Sequence, residues 1–151
     1  MRLTARSEYG LLALIELSCR FGTGPVSARG LSERQEIPLK FLEQLLAGLR
    51  KAGIVQAVRG AHGGFTLTRE PRAITVLEIV EALEGPLAAT SCDGGRLCGR
   101  GDACAAAAVW GRATEALRGV FSTTTLADLA STQSGYDRYP VGTTKGSEPA
   151  S

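Results

Sequence analysis

The chain has 151 residues, of which 44% are apolar and 21% charged, and its formal net charge is +2. That balance excludes an unfolded polyelectrolyte, allows one buried core, and leaves no apolar run long enough to span a bilayer. Charge is unevenly spread: residues 1–70 carry ten Arg or Lys against six Asp or Glu, whereas residues 71–151 carry seven against nine.

The first residues, Met1-Arg2-Leu3-Thr4, read as a helix start and not as a secretion signal, so a cytoplasmic protein is expected. Thr4 caps a first helix running to about Arg20, with Leu3 expected to staple against Tyr9. Leu11, Leu12, Leu14, Ile15 and Leu17 spread over more than one stripe, so cover on several sides is expected. Cys19, near the end of that helix, reads as a small buried thiol. Gly24-Pro25 turns the chain, and Ser27 caps a short second helix to about Gln35, with Val26 and Leu31 as its staple.

The stretch from Ile37 to Arg69 organises what surrounds it. Leu39, Leu42, Leu45, Leu46 and Leu49 have the three-to-four spacing of a helix with one buried face. Gly53 stops that helix, and Ile54 to Arg59 and Phe65 to Thr68 read as strands joined by Gly60-Ala61-His62-Gly63-Gly64. Two helices across a tight turn, followed by a basic-tipped hairpin, predict a winged helix-turn-helix whose second helix enters the major groove of double-stranded promoter DNA. Lys40, Glu43 and Gln44 fall on its uncovered side, where they can reach guanine, cytosine and adenine edges respectively. Glu43 can equally pair with Lys40. Arg59 and His62 sit at the hairpin tip, suited to a minor groove or to phosphate.

Past the hairpin, Thr75 to Glu78 is a capping box, with Ile74 and Ile79 as its staple, and Gly85-Pro86 ends its helix. A glycine-rich loop follows. Another helix runs from near Cys104 to about Phe121, with a stripe of Val109, Ala113, Ala116, Leu117 and Val120. So much apolar surface on a lone helix predicts a homodimer interface. Thr124 or Thr125 caps a last short helix through Ala130. The expected organisation is a DNA-binding domain at 1–86, a cysteine loop at 87–104, a dimerisation helix with a short terminal helix at 105–134, and a flexible tail at 135–151: mainly α, with a small β-hairpin wing.

Cys92, Cys98 and Cys104 have five residues between neighbours. Glycine-rich spacing lets the backbone wrap a compact object and aim several thiolates at one centre, as an iron–sulfur cluster or a zinc ion requires. Spacing does not choose between these, or between them and redox-active or incidental thiols. A cysteine-based redox enzyme is disfavoured, because there is no Cys-x-x-Cys pair, histidine partner or nucleotide-binding fingerprint.

The chain resembles the Rrf-two family of bacterial winged-helix transcription regulators. The resemblance rests on Met1 to Thr4, Phe41 to Leu46, Ala52-Gly53-Ile54-Val55, Arg59 to Phe65, Ile79 to Gly85 and the cysteine triplet. It implies a homodimer with crossing C-terminal helices, regulation by cluster state, base contacts at Lys40, Glu43 and Gln44, and Cys92, Cys98 and Cys104 as cluster ligands. IscR-like members of the family carry a histidine three residues after the last cysteine, where this chain has Ala107. NsrR-like members carry a carboxylate in the first helix at the place of Glu8, which makes Glu8 the fourth ligand implied, delivered to the partner's cluster. On that likeness a [4Fe-4S] cluster and sensing of nitric oxide, redox state or iron–sulfur status are expected. The alternatives are an IscR-like regulator of cluster biogenesis with a [2Fe-2S] cluster, and a zinc-stabilised repressor. Repression is expected over activation, with no enzymatic activity and no membrane partner.

Overall fold

A computed structural model describes residues 3–90 and 104–133. In chain order these form α1 (Ala5–Cys19), α2 (Ala28–Gln35), α3 (Leu39–Lys51), β1 (Val55–Val58), β2 (Gly64–Leu67), a 3-10 turn (Pro71–Ala73), α4 (Val76–Glu84), α5 (Ala105–Thr123) and α6 (Leu126–Gln133). This is the mainly helical fold with one hairpin wing that the sequence predicts. Cys92, Cys98 and the tail at 135–151 lie outside the described residues.

Side-chain caps start four of the helices where the sequence places them. Thr4 Oγ1 accepts the Arg6 amide at 3.2 Å, and Ser27 Oγ accepts the Gly30 amide at 3.0 Å. The Thr75–Glu78 box is reciprocal, with amide-to-side-chain bonds of 3.0 and 3.2 Å. Thr125 and Asp128 form a matching pair, at 2.9 and 3.2 Å, before α6. Each such cap contributes about 1 kcal/mol.

Two local expectations are corrected. Leu3 is 45% exposed and not the buried staple residue expected, and Tyr9 meets Phe41 edge-on, with ring centroids 5.8 Å apart. The start of α1 is secured by Glu84, whose Oε1 accepts the Thr4 amide, the Thr4 hydroxyl and the Ser7 hydroxyl at 3.0, 2.6 and 2.8 Å. Cys19 is exposed, because it lies one residue past the buried row Leu14, Leu17 and Ser18 and the helix rotates it outward.

The core brings Leu14 and Leu17 of α1, Leu31 of α2, four leucines of α3 and Ile79 of α4 together with Leu126 of α6. Helix α1 crosses α4 closely at Gly10, where an added Cβ would overlap Leu83 Cδ1. A second cluster, Val76, Val80 and Leu87 with Leu117 and Phe121, seats α5 on α4. The apolar surface of α5 therefore divides. Leu117 and Phe121 turn toward α4, while Val109 and Val120 remain 55% and 60% exposed and Trp110 39%.

Candidate nucleic-acid interface and cysteine site

Helix α3 is aimed by its neighbours. Its turn from α2 is made by Glu36 in the left-handed region (φ 53°), whose amide, like that of Ile37, donates to the Ser32 carbonyl. The Ser32 hydroxyl returns a bond to the Ile37 carbonyl at 2.6 Å. Leu42, Leu45, Leu46 and Leu49 are fully buried, and that leaves Lys40, Glu43 and Gln44 exposed on the opposite face. No ion pair links Lys40 to Glu43 among the described residues, so both side chains are available to a ligand.

The wing pairs Val55 with Leu67 through to Val58 with Gly64. It is also fixed to the entrance of α2, since Val26 and Phe65 exchange two backbone bonds of 3.0 and 2.8 Å. Glycine is required at two places. A Cβ on Gly63 would overlap the Val58 carbonyl, and one on Gly64 would overlap the Val26 carbonyl. Arg59 and His62 stand exposed at the wing's end.

The structure sorts the cations in a way that composition does not. Arg20 and Arg34 share Glu16, Arg69 binds Glu78, Arg72 binds Glu70, and Arg118 binds Glu81. Arg6 donates to the Leu83 carbonyl at 3.1 Å. Among the described residues, Arg29, Lys40, Arg50, Lys51, Arg59 and Arg112 have no internal acceptor. All of these except Arg112 lie on α2, on α3 or at the end of β1. Arg29, Arg50 and Lys51 are thus added to the candidate interface. Their signal in the sequence was only general basic character, because whether a cation is already paired depends on contacts across the fold.

Cys104 occupies the N-cap position of α5, half-buried, without a side-chain cap bond and outside any disulfide. Glu8 is exposed in the first turn of α1, and its carboxylate has no partner among the described residues. No three His, Cys, Asp or Glu residues converge as a metal site among the described residues. Available donors at Cys104 and Glu8 nonetheless fit a thiolate-and-carboxylate ligand set. No helix of the described residues is long and apolar enough to cross a membrane.

Residues 3–132 match the family model described as Rrf2, iron-dependent transcriptional regulator. The chain belongs to the Rrf2 family. Among its Rrf2 relatives, the HTH-type transcriptional regulator IscR of Klebsiella pneumoniae (strain 342) is 39% identical over 133 residues, covering 88% of this chain and 82% of that protein. CymR, the global cysteine regulator of B. subtilis, superimposes with a TM-score of 0.76 at 36% identity, over 87% of this chain and 98% of its own. IscR of T. potens gives 0.72 at 34% identity, over 95% and 94%. These relatives are named as regulators and not as enzymes; this Rrf2 chain is an IscR-like, winged helix-turn-helix transcriptional regulator.

Proposed function

We propose that this protein is a homodimeric, iron–sulfur-dependent repressor that reads a partly palindromic promoter site with α3 and the wing, and whose DNA affinity follows cluster state. The observation that carries the reading is the set of cations unpaired among the described residues, gathered on α2, α3 and the wing of a chain whose last cysteine, Cys104, opens α5. In this reading Arg29, Arg50, Lys51 and Arg59 contact phosphate, while Lys40, Glu43 and Gln44 meet base edges. His62 adds a contact at the wing tip. The exposed Val109, Trp110 and Val120 face a second copy, and the resulting dimer matches a two-fold operator.

Cys92, Cys98 and Cys104 supply three thiolates, and Glu8 of the partner subunit supplies a carboxylate. The bound cluster, [4Fe-4S] in preference to [2Fe-2S], would give an iron with a hard, exchangeable oxygen donor, open to nitric oxide or oxidation. Support comes from the free carboxylate of Glu8, the uncapped Cys104 and the alanine at position 107. Nitric-oxide or redox sensing is the expected signal, and the cytoplasm the expected compartment.

The test is one anaerobic preparation divided into cluster-loaded, nitric-oxide-treated and apo samples and measured against genomic DNA fragments, including the protein's own promoter. Iron, acid-labile sulfide and a cluster-dependent change in DNA affinity are expected. Zinc in place of iron and sulfide would favour a zinc-stabilised repressor. Equal affinities in all three samples would defeat regulation by the cluster. Glu8→Ala is expected to alter the Mössbauer spectrum, and an identical spectrum would remove Glu8 from the ligand set.

A further inference from the structure

Among the described residues, α5 packs chiefly on α4. Within that apolar contact lies one polar joint. Glu81 Oε1 accepts from Arg118 Nη1 at 2.7 Å and from the Leu87 amide at 3.1 Å, so a single carboxylate oxygen ties together α4, the segment leaving it, and α5. On the C-terminal side of the joint, α5 is strapped down. The Val76 amide donates to the Thr124 carbonyl at 2.9 Å, and the Leu126 amide to the Ile74 carbonyl at 3.0 Å.

Among the described residues, the other arm is held by less. Thr114, the buried residue of α5, accepts from the Ala89 amide at 2.9 Å, and beyond it Val109 and Trp110 are exposed. That arm ends at Cys104, fourteen residues before Arg118, or about 21 Å along the helix axis. One turn further along α4, Glu84 grips Thr4 and Ser7 at the start of α1, beside Glu8. Glu81 and Glu84 thus connect α4 separately to the two elements that carry the described candidate ligands. On its apolar side, α4 packs into the core that aims α3.

We propose that the Glu81–Arg118 pair is the fulcrum of an α5 lever, passing displacement of the Cys104 end into α4 and so to the DNA-reading head. The proposal rests on the iron–sulfur reading given above. Glu81 and Arg118 are positioning residues that touch neither cluster nor DNA. Their side chains are 33% and 38% exposed, so the pair orients the helix while water can still replace either partner. A pair serving stability alone would shift the DNA affinities of the loaded and apo forms equally. A fulcrum changes their ratio.

The experiment compares operator affinity of anaerobic loaded and apo dimers, at fixed salt, for wild type, Arg118→Ala, Glu81→Ala, the double variant and Glu81→Gln, which keeps an acceptor for both donors. Since allosteric couplings typically amount to about 5- to 150-fold, the loaded-to-apo ratio is expected to move at least about threefold toward unity in either alanine variant. It should move no further in the double variant and stay near wild type in Glu81→Gln, with the cluster spectrum unchanged throughout. An unaltered ratio in Arg118→Ala, or additive losses in the double variant, overturns the fulcrum. Should wild type itself show equal affinities, the iron–sulfur reading is what fails. Hydrogen exchange on the apo protein then decides the joint: Arg118→Ala must speed exchange both in residues 105–117 and in residues 81–87, and faster exchange in one segment alone, or in neither, overturns it.

Discussion

At the scale of single residues, what a side chain can do for DNA depends on whether its charge is already spent inside the fold. Arg34 and Arg59 look alike in the sequence, yet Arg34 is bound to Glu16 at 2.9 Å and Arg59 has no internal acceptor among the described residues. Arg59→Ala is expected to weaken operator binding and to lower the salt slope of log affinity by about one phosphate's worth. Titrations across a salt series check this, and an unchanged slope would assign Arg59 to a base edge or to no contact. Glu36 shows the opposite relation, a residue whose backbone works against it. It holds φ 53° at the turn before α3, a region that costs a non-glycine residue about 1 kcal/mol, so Glu36→Gly is expected to raise stability by up to that amount. Thermal melting measures it, and a lowered melting temperature would mean that the Glu36 side chain stabilises the turn in a way its backbone angle does not reveal.

Among the elements, α4 is the one that joins its neighbours through carboxylates. It carries Glu78, Glu81 and Glu84 at three-residue intervals, holding its own start and Arg69, then α5, then α1. All three carboxyls titrate below the ordinary carboxylate value of 4.5. At Glu78 burial opposes the charge but is outweighed by bonds from the Thr75 amide and Arg69. At Glu81 the Leu87 amide is the foremost cause, against burial and together with Arg118. At Glu84 burial is again overcome, by Thr4 and Ser7. A carboxyl depressed in the folded state contributes stability that is complete above its unfolded pKa and lost as pH falls through the folded one. Denaturant titrations are therefore expected to find stability constant down to about pH 5 and falling below about pH 4.5, less steeply in Glu84→Gln. An acid limb of the same slope in that variant would show that Glu84 does not contribute to it.

On the scale of the whole molecule, α5 is the element with two addresses. Leu117 and Phe121 pack toward α4, whereas Val109, Trp110 and Val120 stay exposed among the described residues, the face that the proposed dimer would cover. Val120→Asp is expected to shift a dimer toward monomer in sedimentation, leaving the helical content of α1 to α4 intact; a persistent dimer would put the interface elsewhere. Much of this was legible from local chemistry. The caps at Thr4, Ser27 and Thr75, the leucine face of α3 and the glycine-rich hairpin declare themselves through spacing, because backbone amides near a helix start and one apolar stripe per helix have short-range solutions. Lys40, Glu43 and Gln44 were assignable to an open face for the same reason. What the sequence did not disclose were relations between distant residues: the Glu84 clamp on α1, the Glu81–Arg118 joint, the exposure of Cys19, and the sorting of cations into paired and unpaired. Periodicity tells a residue which side of its own element it lies on. Only packing decides what stands opposite, and so whether a charge is neutralised at home or left for DNA.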